Sequence, residues 1–241
     1  MKKVILFLIL LVLPIISAER EPEFVVGLQT TNILYDNPGK KLIAPQVGEN
    51  QTFIRGGSFD VSQPGIELRM DIPFRDKYFI PVGVNYTFFS ARELIPVNNL
   101  VESKWRHNLD VFSVFSGLYY IYHSFNRINV DLYAGADIRA SYIWDVNFEN
   151  ELIYQELPDQ SQVSSPGTKD EVFRLGTTIK TGVKSKFKGY LNLDISLGYT
   201  FFNILPVDDE RGELFTPETQ FETGESLVHT LNVNILMRFF L

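Results

Sequence analysis

One stretch constrains this chain more than any other. Gly65–Phe89 reads GIELRMDIPFRDKYFIPVGVNYTFF. Before its turn, Ile66, Leu68, Met70, Ile72 and Phe74 take one face, and Glu67, Arg69 and Asp71 take the other. After the turn, Tyr78, Ile80, Val82, Val84, Tyr86 and Phe88 lie opposite Gly83, Asn85 and Thr87. Successive strand side chains point to opposite faces, so this is period-two alternation and not a helical stripe. Folding about Asp76 opposes Phe74 with Tyr78, Ile72 with Ile80 and Met70 with Val82, so apolar meets apolar. Two readings follow. Either the apolar face covers a core and the charges meet water, or the apolar face meets lipid and the charges point inward.

The start of the chain bears on that choice. Met1–Ala18 has Lys2 and Lys3, an apolar run from Val4 to Ile16 and a small-residue end at Ser17-Ala18. That is the pattern of a secretory signal peptide cleaved after Ala18. The run is short for a membrane span of roughly 20 residues, and without cysteine there is no site for lipoprotein acylation. The expected organisation is a signal peptide over 1–18 and one domain over 19–241. Acidic residues outnumber basic ones, 29 to 22. Loss of Lys2 and Lys3 makes the balance more acidic still, which argues against nucleic acid as a partner. The absence of cysteine also excludes a disulfide scaffold and a thiolate metal site.

Along the chain, alternation predicts eight strands: about 23–34, 65–74, 78–89, 105–121, 128–142, 171–185, 190–202 and 226–241. The fourth is untidy, because Leu109 and Val111 lie on one face and Phe112, Val114, Leu118 and Tyr120 on the other. A one-residue slip near Val111 would reconcile them, so a β-bulge is expected there. The connections alternate in length. The short ones are Arg75-Asp76-Lys77, about 122–127, and Lys186-Phe187-Lys188-Gly189. The long ones are the loops over 35–63, 90–104, 143–170 and 203–225. An even strand number, alternating short turns and long loops, and both termini on the turn side are the features of an outer-membrane barrel. The apolar strand faces carry no Lys, Arg, Asp or Glu. Aromatics gather at the strand ends, as interfacial girdles require. On the turn side these are Phe24, Phe74, Tyr78, Tyr119, Tyr120, Tyr190 and Phe239. On the loop side they are Phe88, Phe89, Tyr142, Trp144, Tyr199 and Phe201.

With its signal sequence, eight alternating strands and C-terminal strand, the chain resembles the small outer-membrane β-barrel superfamily of the OmpA transmembrane-domain and OmpX type. The resemblance rests on pattern over the whole mature chain. Such barrels usually end in an aromatic residue, whereas this chain ends Met237-Arg238-Phe239-Phe240-Leu241. The implied fold is all-β, an eight-stranded antiparallel up-and-down transmembrane barrel. The implied place is the outer membrane of a Gram-negative bacterium, with both termini periplasmic. The implied partners are outer-membrane lipid and lipopolysaccharide, the barrel-assembly machinery, and an extracellular surface partner at the four long loops. The chain is expected to be a monomer.

An eight-stranded barrel is only wide enough for side chains to fill it. The inner-face residues Glu67, Arg69, Asp71, Asp131, Asp137, Arg139, Arg174, Lys180, Lys184, Asp194 and Arg238 are therefore expected to form a polar plug; a narrow pore is the alternative. The acids of the third and fourth loops, including Asp208-Asp209-Glu210, Glu213 and Glu225, match no Ca²⁺-loop spacing and read as a solvated surface. No catalytic, cofactor or metal residue is expected. His107 and His229 fall near the loop-side ends of non-adjacent strands. His123-Ser124 lies in a turn, on the wrong side for the outer leaflet. Lipid A deacylases share this fold and use a Ser–His pair supported by an acid, so a lipid A-modifying enzyme is the alternative function. An accessory barrel of a secretion system is another. The sequon matches at Asn50 and Asn85 read as fortuitous. A lipocalin-like carrier needs the opposite polarity, an apolar inside and a polar outside.

Overall fold

The computed structural model describes residues 21–34, 54–55, 59, 62–98, 100–154, 156, 159, 161–185, 192–205, 212–215, 218–219 and 225–240. The signal-peptide residues, the turn over 186–191, Asp208-Asp209-Glu210, Asn50 and Leu241 lie outside them. The strands are β1 (Glu23–Ile33), β2 (Ile54–Arg55), β3 (Gln63–Arg75), β4 (Tyr78–Asn98), β5 (Val101–Phe125) and β6 (Val130–Tyr154). They continue with β7 (Gln162–Lys169), β8 (Val172–Ser185), β9 (Asn192–Leu205), β10 (Glu218–Thr219) and β11 (His229–Phe240).

Eight of them close a ring. Its order is β1-β3-β4-β5-β6-β8-β9-β11, and β11 pairs back onto β1. All the pairings are antiparallel, and each ring neighbour is the next ring strand in the chain. This is an up-and-down barrel, the one β architecture that leaves no ring edge unpaired. The opening hairpin holds its predicted register at Ile72↔Ile80 and Met70↔Val82. It departs at the turn, where Tyr78 faces Arg75 rather than Phe74 across a register shift after Pro73.

The polarity is the one that lipid demands. Leu28, Ile66, Ile138, Ile179, Ile195, Leu197 and Ile235 point outward and are 46–70% exposed. Between them, the alternate residues are buried and largely polar or charged. Three inward glycines make room for this packing. A Cβ at Gly135 would meet the Tyr119 ring at 2.2 Å, one at Gly182 the Tyr133 ring at 2.6 Å, and one at Gly83 the Phe115 ring at 2.7 Å. Each glycine is thus the floor under an aromatic ring of the neighbouring strand.

Two expected loops are strand instead. The 90–104 segment is a continuation of the β4–β5 hairpin, paired from Ser90↔Asn108 up to Asn98↔Val101. Much of 143–170 is the continuation of β6 to Tyr154, with β7 added alongside it. These segments read as loops because they are rich in charge. Paired across strands, the charges become neighbours, with Lys104 Nζ 2.8 Å from Glu151 and Arg106 3.6 Å from Glu149. From Val101 to Asn108, β5 runs roughly 23 Å along its axis at about 3.3 Å per residue. The sheet β4-β5-β6-β7 therefore rises as a fin beyond the loop-side aromatics.

The bulge near Val111 lies on the neighbouring strand. Between Asn108/Asn147 and Asp110/Trp144, β6 uses one residue more than β5, at Asp145-Val146, and Asp145 has φ 54°. The slip does not turn Leu109 and Val111 outward. Both face the interior, completely buried, while Phe112 stays outside. Tyr119 and Phe89, expected in the girdles, are completely buried inside as well. Their strand parity requires this, since Tyr119 shares a face with Ser113 and Phe89 with Thr87.

An outward arginine near mid-membrane costs about 2–4 kcal/mol. Val82→Arg is expected to lower the folded fraction in lipid vesicles by that amount, read from heat-modifiable gel migration, whereas Val82→Leu folds like the parent. Full folding of Val82→Arg would put the apolar face in water. Gly83 cannot serve as the tolerant inward control, because any side chain there strikes the Phe115 ring and the Leu68 carbonyl.

Candidate functional site

The interior has two storeys, a charged lumen below and an apolar cap above. All eleven residues singled out from the sequence face inward and are buried: Glu67, Arg69, Asp71, Asp131, Asp137, Arg139, Lys180, Lys184, Asp194 and Arg238 in the lumen, and Arg174 at the loop end beside the cap. Alternation on β3, β6, β8, β9 and β11 delivers them there.

Arg69 is the hub. Its guanidinium donates to Glu67 at 2.9 Å, to Asp71 Oδ2 at 3.1 Å and to Asp194. The network spreads from those carboxylates. Lys180 bonds Glu67 at 3.0 Å, and Asn234 Nδ2 donates to the same carboxylate at 3.3 Å. Lys184 pairs with Asp71, and Tyr133 donates to Asp194 at 2.8 Å. Towards the turn end, Arg238 pairs with Glu23, and Lys184 Nζ sits 3.5 Å from the centre of the Phe79 ring. A second cluster joins Asp137 to Arg139 at 3.0 Å and to the Tyr119 hydroxyl at 2.7 Å. Between these clusters and the cap runs an uncharged belt. Ser113 bonds Ser141, Thr178 bonds Thr200, and Asn232 and Asn85 donate to Thr200 and Gln29.

Desolvating a charge costs several kcal/mol unless partners compensate. Inside the barrel, every cation of the set has a carboxylate partner. The arrangement binds side chain to side chain across the bore. A cavity of about 530 Å³ remains at the turn end, lined by Asp71, Phe79, Asp131, Lys184, Asn192 and Arg238 among others.

The cap escaped sequence reasoning. Ile33, Phe59, Phe89, Leu109, Val111, Ile143, Val146, Phe202, Leu214, Phe215 and Val228 form one buried apolar cluster at the loop end. Most come from the upper strand ends, but Phe59, Leu214 and Phe215 come from the first and fourth loops. Phe89 packs against Phe59 at 5.5 Å and against Phe215 at 5.1 Å, and Phe215 also meets Phe202. Isolated apolar residues within polar, Pro- and Gly-rich stretches give no periodic signal. Glu213 and Glu225, expected on a solvated surface, are buried in this region. Glu225 takes the Arg174 guanidinium on both oxygens and a 2.7 Å bond from Asn203, and Glu213 accepts the Ser226 backbone N–H at 3.0 Å.

The histidines are scattered. His107 is buried against Phe59 at 4.6 Å, His229 bonds the Tyr199 hydroxyl on the outer wall, and His123 meets the Phe125 ring edge to face at the turn end. The structure does not bring them together. No group of three or more His, Cys, Asp or Glu among the described residues has the geometry to hold a metal. Asn85, of the second sequon, is buried and bonded to Gln29.

No protein-family model matches the chain, and no curated protein does. Among solved structures it is similar to Neisserial surface protein A, at 11% identity and a TM-score of 0.46 over 91% of this chain and 97% of that one. It is similar to outer membrane protein OprG from Pseudomonas aeruginosa, at 11% identity and a TM-score of 0.41 over 93% and 98%. It is also similar to Ail, the attachment invasion locus protein of Yersinia pestis, solved with the heparin analogue sucrose octasulfate, at 12% identity and a TM-score of 0.40 over 91% and 98%. These figures transfer no ligand and no activity to this chain.

Removing the hub leaves three buried carboxylates facing one another. Arg69→Met is therefore expected to destabilise the barrel by about 3–5 kcal/mol, the cost of breaking a buried pair by removing one partner. Denaturant unfolding in lipid vesicles measures it, and a change below about 1 kcal/mol would mean that the lumen is wet and the charges solvated.

Proposed function

We propose that this chain is a non-enzymatic bacterial outer-membrane barrel whose work is surface interaction, performed by the fin and the loops around it. Both termini then lie in the periplasm, and the barrel serves as an anchor. The observation that carries this reading is the fin itself. Three ring strands, β4, β5 and β6, continue past the membrane-facing band with β7 alongside, and their outward face carries two charge pairs across strands, Lys104–Glu151 and Arg106–Glu149. A sheet that only needed to close a barrel would stop at the girdle. The paired lumen supports a structural interior in preference to an open pore, and the separation of the three histidines supports a barrel without catalysis.

Two measurements test it. Glu93 and Trp105 are directly opposed, so replacing 94–104 by Asn-Gly closes the hairpin with a favoured two-residue turn. Bacteria displaying the full chain are expected to bind arrays of immobilised extracellular proteins and glycans. The shortened variant is expected to fold, by heat-modifiable migration, and to lose that binding. Equal binding by both would sink the fin's role. In the same cells, mass spectrometry of lipid A is expected to show an unchanged acyl pattern; a new or missing chain would establish the lipid A-modifying alternative.

The fin also has a pH response. The hydrogen bond from Lys104 Nζ holds the Glu151 carboxyl below its usual range. A carboxyl depressed in the folded state stabilises it above the unfolded value, and the contribution is lost as pH falls through the folded one. Amide protection factors at Lys104 and Glu151, corrected for the intrinsic exchange rate at each pH, are therefore expected to fall on acidification below the ordinary glutamate range, ahead of any change in the ring strands. Lys104→Met removes this pH dependence.

A further inference from the structure

One sector of the outer wall differs from the rest of the loop-side aromatic belt. Tyr86 on β4, Phe112 on β5, Tyr142 on β6 and Phe173 on β8 are successive register partners on the outward face. One row nearer the fin come Phe88, Asp110 and Trp144, and the row beyond holds Ser90, Asn108 and Asn147. The Tyr142 ring lies 4.7 Å from that of Phe173 and 5.3 Å from that of Trp144, the second pair in a near-parallel stack. Trp144 ends this stack, because the next outer residues of β6 are exposed Asp145 and then Asn147. Among the rings stands a carboxylate. Asp110 is half-buried, directly opposed to Phe88 on one side and to Trp144 on the other. The Tyr86 hydroxyl donates to its Oδ1 at 2.9 Å, which leaves Oδ2 for a further donor. Elsewhere on the belt, Tyr199 and Phe201 pack with His229 instead.

An aromatic belt at a membrane boundary needs no acid. A carboxylate set among rings is partly desolvated and can only accept hydrogen bonds, so it calls for donors from the surrounding molecules. A lipid phosphodiester has no proton to donate and is repelled by Asp110 and Asp145. The cations Arg92 and Arg106 stand two register rows further out, about 13 Å along β5. A sugar ring supplies both halves of the match. Its hydroxyls donate to a carboxylate, and its C–H face lies against the negative face of an aromatic ring. We propose that this sector holds the sugar ring of an outer-leaflet glycolipid, stacked on Trp144 and hydrogen-bonded through its hydroxyls to Asp110. Ser90, Asn108 and Asn147 form the polar edge of the site towards the fin. The site rests on the proposed orientation only for the choice of leaflet: with the loop side outermost, these rows lie at the outer headgroup level.

The chain has two tryptophans, so Trp105→Phe leaves Trp144 as the sole emitter. Its quenching by acrylamide is measured in lipid nanodiscs of phosphatidylcholine alone, and with added monogalactosyl diacylglycerol or phosphatidylglycerol. Both leaflets of a disc share one composition, so the result does not depend on orientation, and a failure leaves the fin's surface role standing. The galactolipid is expected to lower the quenching constant at least about twofold, through a sugar seated on the ring. Phosphatidylglycerol is expected to leave it unchanged. Asp110→Leu, on the outward face, is expected to abolish the protection, whereas Phe201→Leu, elsewhere on the belt, keeps it. Gel mobility confirms that each variant keeps its barrel. Equal quenching with and without the galactolipid would overturn the proposal. So would protection that persists in folded Asp110→Leu, which would be shielding by bulk headgroups, or equal protection by phosphatidylglycerol. Soluble methyl galactoside that protects Trp144 in phosphatidylcholine discs, where the galactolipid does not, would overturn the lipid-borne source.

Discussion

Arg69 holds three carboxylates at once, and the rest of the interior is arranged around that fact. A guanidinium in a narrow, dry bore is tolerable only if its donors are used and its charge is answered. Its fork can satisfy several oxygens at fixed angles. Glu67 and Asp71 come from its own strand, two residues to either side, and Asp194 comes from across the lumen. One cation cannot answer three carboxylates, so Lys180 and Lys184 from β8 complete the balance at Glu67 and Asp71. The outer wall depends on this network as much as the inner one does. Strand geometry ties the faces together, because a one-residue slip of β3 would put Arg69 in lipid and Leu68 in the lumen.

Much of this was legible in the sequence because period-two alternation reports which face a residue takes once strands are assumed. Polarity then chooses between lipid outside and water outside. The eleven inward residues were located by that parity alone. Parity also held the answers that the aromatic pattern obscured. Tyr119 lies beside Tyr120 near a strand end and reads as one of a girdle pair, yet its position fixes it inward, where the bare floor of Gly135 receives its ring. Leu109 and Val111 were forced outward by the expectation that apolar strand residues meet lipid. That rule fails where a second, apolar core occupies the top of the bore.

The fin and the cap were not legible, for opposite reasons. In the fin, strand residues look like loop residues. Arg92, Lys104, Arg106, Glu149 and Glu151 make their segments polar, and the cross-strand pairing that makes polar strands stable exists only after register is set. In the cap, loop residues act as core residues. Phe59 and the Leu214-Phe215 pair sit in polar stretches with no strand or helix period, and the strand residues they pack on, Phe89 and Phe202, are distant in sequence. Glu225 shows the same limit. It reads as one more acid in an acidic loop until Arg174, fifty-one residues away, appears beside it.

The form of the fin says how it can meet other molecules. Among the described residues, the β4 edge leaves the ring pairing past the end of β3, and β7 ends the sheet on the other side. Long free edges invite strand addition by other chains. Both edges carry a proline, Pro96 in β4 and Pro166 in β7, and a proline has no N–H to offer an incoming strand. Strand addition is therefore blunted at both sides, and what the fin presents is its broad face. On that face, Lys104–Glu151 and Arg106–Glu149 are exposed ion pairs, of the kind that contribute little stability in water. Paired charge keeps the sheet soluble without a strong field of either sign, which suits a face that recognises by shape and hydrogen bonding.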